Sequence, residues 1–197
     1  MNYLAHLLLS RGFPELTTGN LLADFLSAPE QKTLPPWIYK GVLLHRYIDT
    51  YADNHPEVKA CRDLIRPMQR KYTPVVVDIF LDYFLAYNWT DLAVGSFEVF
   101  EDETYDFINL AVTQFPVNTQ EKITRMVTAR WLSAYVSLPG LSKVFQRMQK
   151  HLRFNNQVSH APEQLLEHFE QLNQHFLIFW PDLAEGVQQK INRLIGN

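Results

Sequence analysis

The chain is predicted to be all-α, on three observations. Apolar residues recur at helical spacing through most of the 197 residues. No stretch of useful length alternates apolar and polar side chains with the period of a strand. Prolines and small polar residues fall where helices begin, not inside alternating runs. No repeat, linker or low-complexity tract divides the chain, so residues 1–197 are read as one helical domain, a bundle long enough to bury a full core.

Residues 2–9 form a short apolar helix that Gly12 and Pro14 end. Thr17 or Thr18 is placed to cap a second helix over 20–26, where Leu21, Leu22, Phe25 and Leu26 keep helical spacing. Residues 28–36 read as a loop. Pro35 or Pro36 suits the first turn of the next helix, 37–51, which buries Ile38, Val42, Leu44 and Ile48. Asp53 or Asn54 is placed to cap a helix starting near Pro56, with Val58, Cys61, Leu64, Ile65 and Met68 as its apolar stripe. Pro67 should kink or shorten it. From Pro74 to about Trp89 nearly every side chain is apolar, the mark of a central buried helix. After a loop at 90–96, helices follow over 97–114, 119–137 and 141–152. Asn118 with Glu121 resembles a capping box, and Pro139-Gly140 separates the last two. A final run, 163–195, is expected to break at Pro181.

Chemistry gathers in the first half of the chain. His45 and Asp49, four apart in YKGVLLHRYIDTYAD, share one face of their helix. Asp24 lies among leucines in TGNLLADF, Asp78 and Asp82 are again four apart in VDIFLDY, and His6 sits in NYLAH. Histidines and aspartates gathered on apolar helix faces are what a buried site for a hard or borderline divalent cation requires. All but Asp24 also have a plainer reading. His45 with Asp49 fits a supporting helix pair, Asp78 and Asp82 fit ion pairs with Arg46 or Arg62, and His6 fits a hydrogen-bonded core histidine. Their joint occurrence favours the cation site, because buried carboxylates need counter-charge. His151, His160, His168 and His175 have no carboxylate motif beside them and are read as structural or surface residues.

Composition removes other classes. Hydrophobic residues make up 47% and charged residues 20%, as in an ordinary soluble globular chain. A single cysteine, Cys61, excludes an internal disulfide, fits a reducing cytoplasm, and has no partner spaced for zinc or nucleophilic catalysis. The start, MNYLAHLLLS, lacks a basic leader region, so no secretory signal is expected. No apolar run approaches the roughly 18 residues of a membrane span. There is no glycine-rich phosphate loop, Walker pattern or nucleophile elbow. Aromatics sit mostly at helix-packing positions, not on a base-stacking platform, and no nucleic acid partner is expected. Charge, however, is segregated: residues 72–121 hold nine acids and no Lys or Arg, while 122–162 hold seven Lys or Arg and no acid. Such a split suggests a basic surface for an acidic partner, or two faces that neutralise each other in the fold.

MNYLAHLLLS, TGNLLADF, KGVLLHRYIDTYADNHPEV and VDIFLDYFLAYNW, in that order and spacing, resemble the acyl carrier protein phosphodiesterase family, a relative of the HD-type metal phosphohydrolases. The resemblance is close over residues 1–90 and weak beyond. It implies an all-helical, HD-phosphohydrolase-like fold and a divalent cation, most characteristically Mn2+, with Mg2+, Fe2+ or Co2+ as alternatives. The implied reaction is hydrolysis of the phosphodiester joining 4′-phosphopantetheine to a serine of acyl carrier protein. Matching positions are His6, Asn20, Asp24, His45, Arg46, Asp49, Asp53, Asp78 and Asp82. On that resemblance His45, Asp24 and Asp78 are expected as metal ligands, with His6 and Asp49 next. Asp24, His45, Arg46, Asp49 and Asp82 form the expected catalytic set. Arg46 would meet phosphate oxygens through its guanidinium fork, and His55 or Asp82 would serve as general acid or base. Acyl carrier proteins are small and acidic, so Arg62, Arg66 and Arg70, or Arg147, Lys150 and Arg153, are expected to dock one. One position departs: Tyr83 stands where the family commonly has histidine. A hydrolase of a nucleotide or other small phosphodiester, and a non-catalytic helical binding protein, are the alternative readings.

Overall fold

The computed structural model describes residues 1–152 and 156–196. Among these, twelve α-helices and no strand occur, so the all-α fold class holds. In order they are α1 (Tyr3–Leu9), α2 (Pro14–Leu22), α3 (Ala28–Gln31), α4 (Pro36–Asn54), α5 (Pro56–Gln69), α6 (Thr73–Tyr87), α7 (Trp89–Leu92), α8 (Phe97–Ala111), α9 (Val117–Thr128), α10 (Leu138–His151), α11 (Ala161–Glu167) and α12 (Phe169–Ile195). A 3₁₀ stretch, Trp131–Val136, joins α9 to α10. No helix among the described residues is long and apolar enough to cross a membrane.

The apolar run of α6 makes it the axis of the core. Phe80 meets Phe145 of α10 edge-on at 5.9 Å, and Phe84 stacks on Phe176 of α12 at 6.1 Å. Along α5, Val58, Cys61 and Ile65 are buried on one stripe, as their spacing requires. Burial pushes the Cys61 thiol up to about 12, which leaves it a packing group. One apolar core runs from Met1 to Leu194.

Several boundaries differ from the sequence expectation, each for a local reason. Thr17 and Thr18 lie inside α2, and the Thr17 hydroxyl donates to the Ser10 carbonyl at 2.7 Å, closing the turn from α1. The expected loop at 28–36 contains α3, nucleated by a capping box between Ser27 and Glu30. Asp53 and Asn54 still belong to α4, and the His55 ring caps α5 by accepting the Glu57 amide at 3.3 Å. Pro67 leaves α5 intact to Gln69, and Arg70 at φ +49° ends it. The expected helix over 119–137 stops at Thr128, because Arg130 takes the left-handed conformation at φ +46°. Asn118 forms no capping box with Glu121; it donates to Glu30 at 2.7 Å. Pro139 and Gly140 lie in the first turn of α10. The final run breaks at His168, not at Pro181. The carbonyl that Pro181 leaves without a donor belongs to exposed Leu177, where water can reach it.

Candidate metal centre

α2 and α4 cross with their backbones in contact. A Cβ on Gly41 would lie 2.7 Å from the Gly19 Cα and 2.8 Å from the Asn20 nitrogen, so only glycine allows this approach. The crossing sets Asn20 of α2 against His45, one turn beyond Gly41 on α4, with His6 of α1 completing the group.

Asn20 is wholly buried. Its carboxamide nitrogen donates to the His6 carbonyl at 2.9 Å, which fixes the other end of the amide toward the imidazoles. That oxygen lies 2.8 Å from His6 Nδ1 and 3.1 Å from His45 Nδ1. An amide oxygen only accepts, so both rings carry a proton on Nδ1. The rings stack at 4.2 Å, 22° from parallel. Both Nε2 atoms then face Asp49, His6 Nε2 at 3.1 Å from Oδ1 and His45 Nε2 at 3.1 Å from Oδ2.

This convergence is the test of fit for a cation. Neutral imidazoles with Nδ1–H present bare Nε2 lone pairs to a carboxylate that also offers only lone pairs. Positive charge must lie between them, as protons or as a metal ion. His6 is fully buried in the core, and that burial lowers its pKa, against proton uptake. His45 is pulled the same way by burial, but the Asp49 hydrogen bond and the Asp24 charge raise it on balance. Burial works against the Asp49 carboxylate too, yet its contacts with His45 and His6 hold its pKa well below the usual range. Ligand atoms of His6, His45 and Asp49 lie within 4.8 Å of one another, as a shared ion requires.

Asp24 stands on the exposed rim, with Oδ1 at 3.5 Å from His45 Nε2. Asp78 lies to one side: its Oδ1 is 3.3 Å from the Met1 amino nitrogen and 3.8 Å from Arg62 Nη2. Met1 also approaches Asp49, at 3.7 Å. Burial raises the Asp78 pKa, opposed by the Met1 amino group and Arg62. Asp82 is deeper still and fully buried, accepting the Asn2 and Leu4 amides at 3.2 and 2.8 Å. Burial pushes Asp82 up to about 7, against the pull of the Met1 amino group and those amides.

The arginines divide. Arg46 is exposed and donates to Gln31 Oε1 at 2.6 Å; Gln31 in turn donates to the Ala23 and Leu26 carbonyls at 2.9 and 3.0 Å, clamping the turn that carries Asp24. No sequence motif signals Gln31. Arg62 is half-buried and bonds Asp53 at 2.5 Å. Arg66 pairs with Asp63 at 3.3 Å, Arg70 is exposed beyond it, and Arg147 and Lys150 are exposed on α10. Arg153 lies outside the described residues. His55 reaches Asp182 of α12 at 3.3 Å, far from His6 and His45 in its contacts. Tyr83 packs among Phe84, Tyr87 and Phe169, an aromatic wall with none of the centre's ligands in it.

The family model for acyl carrier protein phosphodiesterase matches residues 1–183. The chain belongs to that family. The acyl carrier protein phosphodiesterases of Yersinia pestis and Klebsiella pneumoniae (strain 342) are each 30% identical over 197 residues, covering 96% of this chain and 99% of theirs. That of Enterobacter sp. (strain 638) is 28% identical with the same coverage. No solved structure matches the chain at a significant level. Membership makes the chain an enzyme of the phosphodiesterase class, and it extends the likeness well past the motif-bearing residues 1–90 to most of α12.

Proposed function

We propose that this enzyme is a divalent-cation-dependent hydrolase that removes 4′-phosphopantetheine from holo-acyl carrier protein and leaves the apo protein. The family to which the chain belongs supports the substrate. One observation carries the cation: Asn20 turns the Nε2 atoms of His6 and His45 toward the Asp49 carboxylate.

His6, His45 and Asp49 hold the ion, and Asp24 closes the set from the rim. Imidazole with carboxylate suits Mn2+, with Mg2+, Fe2+ or Co2+ as further candidates. Once bound, the ion supplies positive charge to the phosphodiester oxygens and a more acidic water. Asn20 keeps the Nδ1 protons in place, so both rings present their lone pairs to the site. Asp24, the exposed carboxylate facing the same point, takes the proton of the attacking water. Asp78 balances the positive charge of Arg62 and Met1. Asp82 anchors the first amides of α1 and so keeps His6 in register; we assign it no proton transfer. Arg46, tied to Gln31, steadies the Asp24 turn and reaches phosphate only from the rim. Arg66, Arg70, Arg147 and Lys150, exposed and basic, steer an acidic protein partner toward the site. We place the enzyme in the cytoplasm, where buried Cys61 stays reduced.

The experiment is incubation of the purified chain with holo-acyl carrier protein and Mn2+, read by intact mass. Loss of the phosphopantetheine mass, blocked by chelator, is expected. An unchanged mass with Mn2+, Mg2+, Fe2+ and Co2+ each supplied would overturn the proposal.

A further inference from the structure

Three half-buried aromatic rings cluster beside the turn that carries Asp24. Tyr3 opens α1, Phe25 follows Asp24 directly, and Trp131 heads the 3₁₀ stretch. The Tyr3 ring lies 6.0 Å from Phe25 and 5.8 Å from Trp131, tilted 34° and 57°. Burial, and after it the charge of Asp24, raises the Tyr3 phenol pKa.

Trp131 is held against Tyr3 by an elaborate support. The preceding residue, Arg130, is a non-glycine in the left-handed region at φ +46°, a conformation that persists only when its surroundings enforce it. The enforcing group is Glu101 of α8, a buried carboxylate. It accepts the Ser133 amide at 2.9 Å, the Ser133 hydroxyl at 2.7 Å and Arg130 Nε at 3.1 Å. The Leu132 amide donates to the Tyr105 hydroxyl at 2.9 Å. The backbone is therefore clamped just after Trp131, and the side chain of Arg130 just before it is tied to the same carboxylate. Trp131 is half-buried at the edge of the core, and the clamp gives the ring a fixed position there.

We propose that Tyr3, Phe25 and Trp131 form the subsite for the pantetheine arm of the substrate, beside the phosphodiester site at the His6, His45 and Asp49 centre. The proposal rests on the function read above. The arm carries two methyls on the carbon next to the phosphate-bearing methylene, then two amides. Methyl groups and amide planes pack on aromatic faces and call for no counter-charge. The wall offers none, since Arg130 is committed to Glu101 and to Asp102 at 2.8 Å.

The test compares wild type, Trp131→Ala, Trp131→Phe and Phe25→Leu. Each is assayed on holo-acyl carrier protein, and for inhibition by 4′-phosphopantetheine and by inorganic phosphate. Trp131→Ala should raise KM and weaken inhibition by 4′-phosphopantetheine about tenfold, the loss of roughly one aromatic contact. kcat and inhibition by inorganic phosphate should hardly move, and Trp131→Phe should restore most of the loss. Should Trp131→Ala lose its helical circular dichroism, Phe25→Leu decides by the same readouts. A wild type that releases 4′-phosphopantetheine while the folded variants keep its inhibition constant overturns the subsite alone. Equal weakening toward both inhibitors overturns it as well. A wild type that releases nothing overturns the hydrolase reading and the subsite with it.

Discussion

Gly19 and Gly41 touch backbone to backbone, a Cβ on Gly41 falling 2.7 Å from the Gly19 Cα. The whole candidate centre hangs on that contact, because it sets the level at which Asn20 meets His45. The atoms a Cβ would meet are main chain, which cannot swing aside.

Gly41→Ala should therefore push α2 off α4. Overpacking of this kind costs about 1–3 kcal/mol, or more where backbone must move. Thermal unfolding followed by circular dichroism should show a midpoint lower by roughly 2–4 °C for each kcal/mol lost. Calorimetric Mn2+ titration should show weakened binding in the same variant. A melt and a titration matching wild type would remove the crossing from the account.

Asn20→Ala removes the acceptor that fixes both Nδ1 protons, leaving the imidazoles free to turn. Loss of such a supporting partner typically weakens metal binding about 10–100-fold. Calorimetric titration with Mn2+ measures this directly, and the fold should survive at ordinary temperature. Affinity unchanged in Asn20→Ala would show that the rings need no such guide.

His45→Ala should bring turnover to background while leaving helical circular dichroism in place, since it removes one ligand and one charge-bearing face without a large cavity. Full retained activity would take His45 out of the centre.

Asp82 predicts a pH effect on stability. Its folded pKa, about 7, stands above the unfolded value of 3.8. Between those values the native chain binds a proton that the unfolded chain has released. Stability contributed at Asp82 is therefore present below about pH 4 and falls as pH rises toward 7. Each pH unit of separation is worth about 1.4 kcal/mol. Urea unfolding from pH 4.5 to 7.5 should show wild type losing stability relative to Asp82→Asn across that window. Parallel curves would show that Asp82 titrates as an ordinary carboxyl.

Sequence periodicity makes the helices and the His45–Asp49 pair legible, because a four-residue spacing on a helix is a local property. It serves less well for Asp78 and Asp82, which have the same spacing. That pattern puts them on one face of α6 and offers Arg62 as a partner, as found at Asp78, but it does not say that Met1 lies opposite Asp78 or the Asn2 and Leu4 amides opposite Asp82. Arg130 is illegible for a related reason. Nothing in its own neighbourhood in the chain favours φ +46°; Glu101, far away in sequence, imposes it. Gly41 inside an apolar helical run reads as a mild weakness, and only the crossing with Gly19 gives it a purpose. Pro67 and Pro181 look like stops in sequence and are carried inside helices. The clamp from Arg46 through Gln31 to the Ala23 carbonyl links residues with no motif between them.

The most direct test of the cation centre is anomalous diffraction at the manganese edge from crystals grown with Mn2+. A peak is expected within roughly 2.0–2.4 Å of His6 Nε2, His45 Nε2 and an Asp49 oxygen. An ion bound instead at Asp78 or Asp82, or no peak between the two imidazoles, would contradict it.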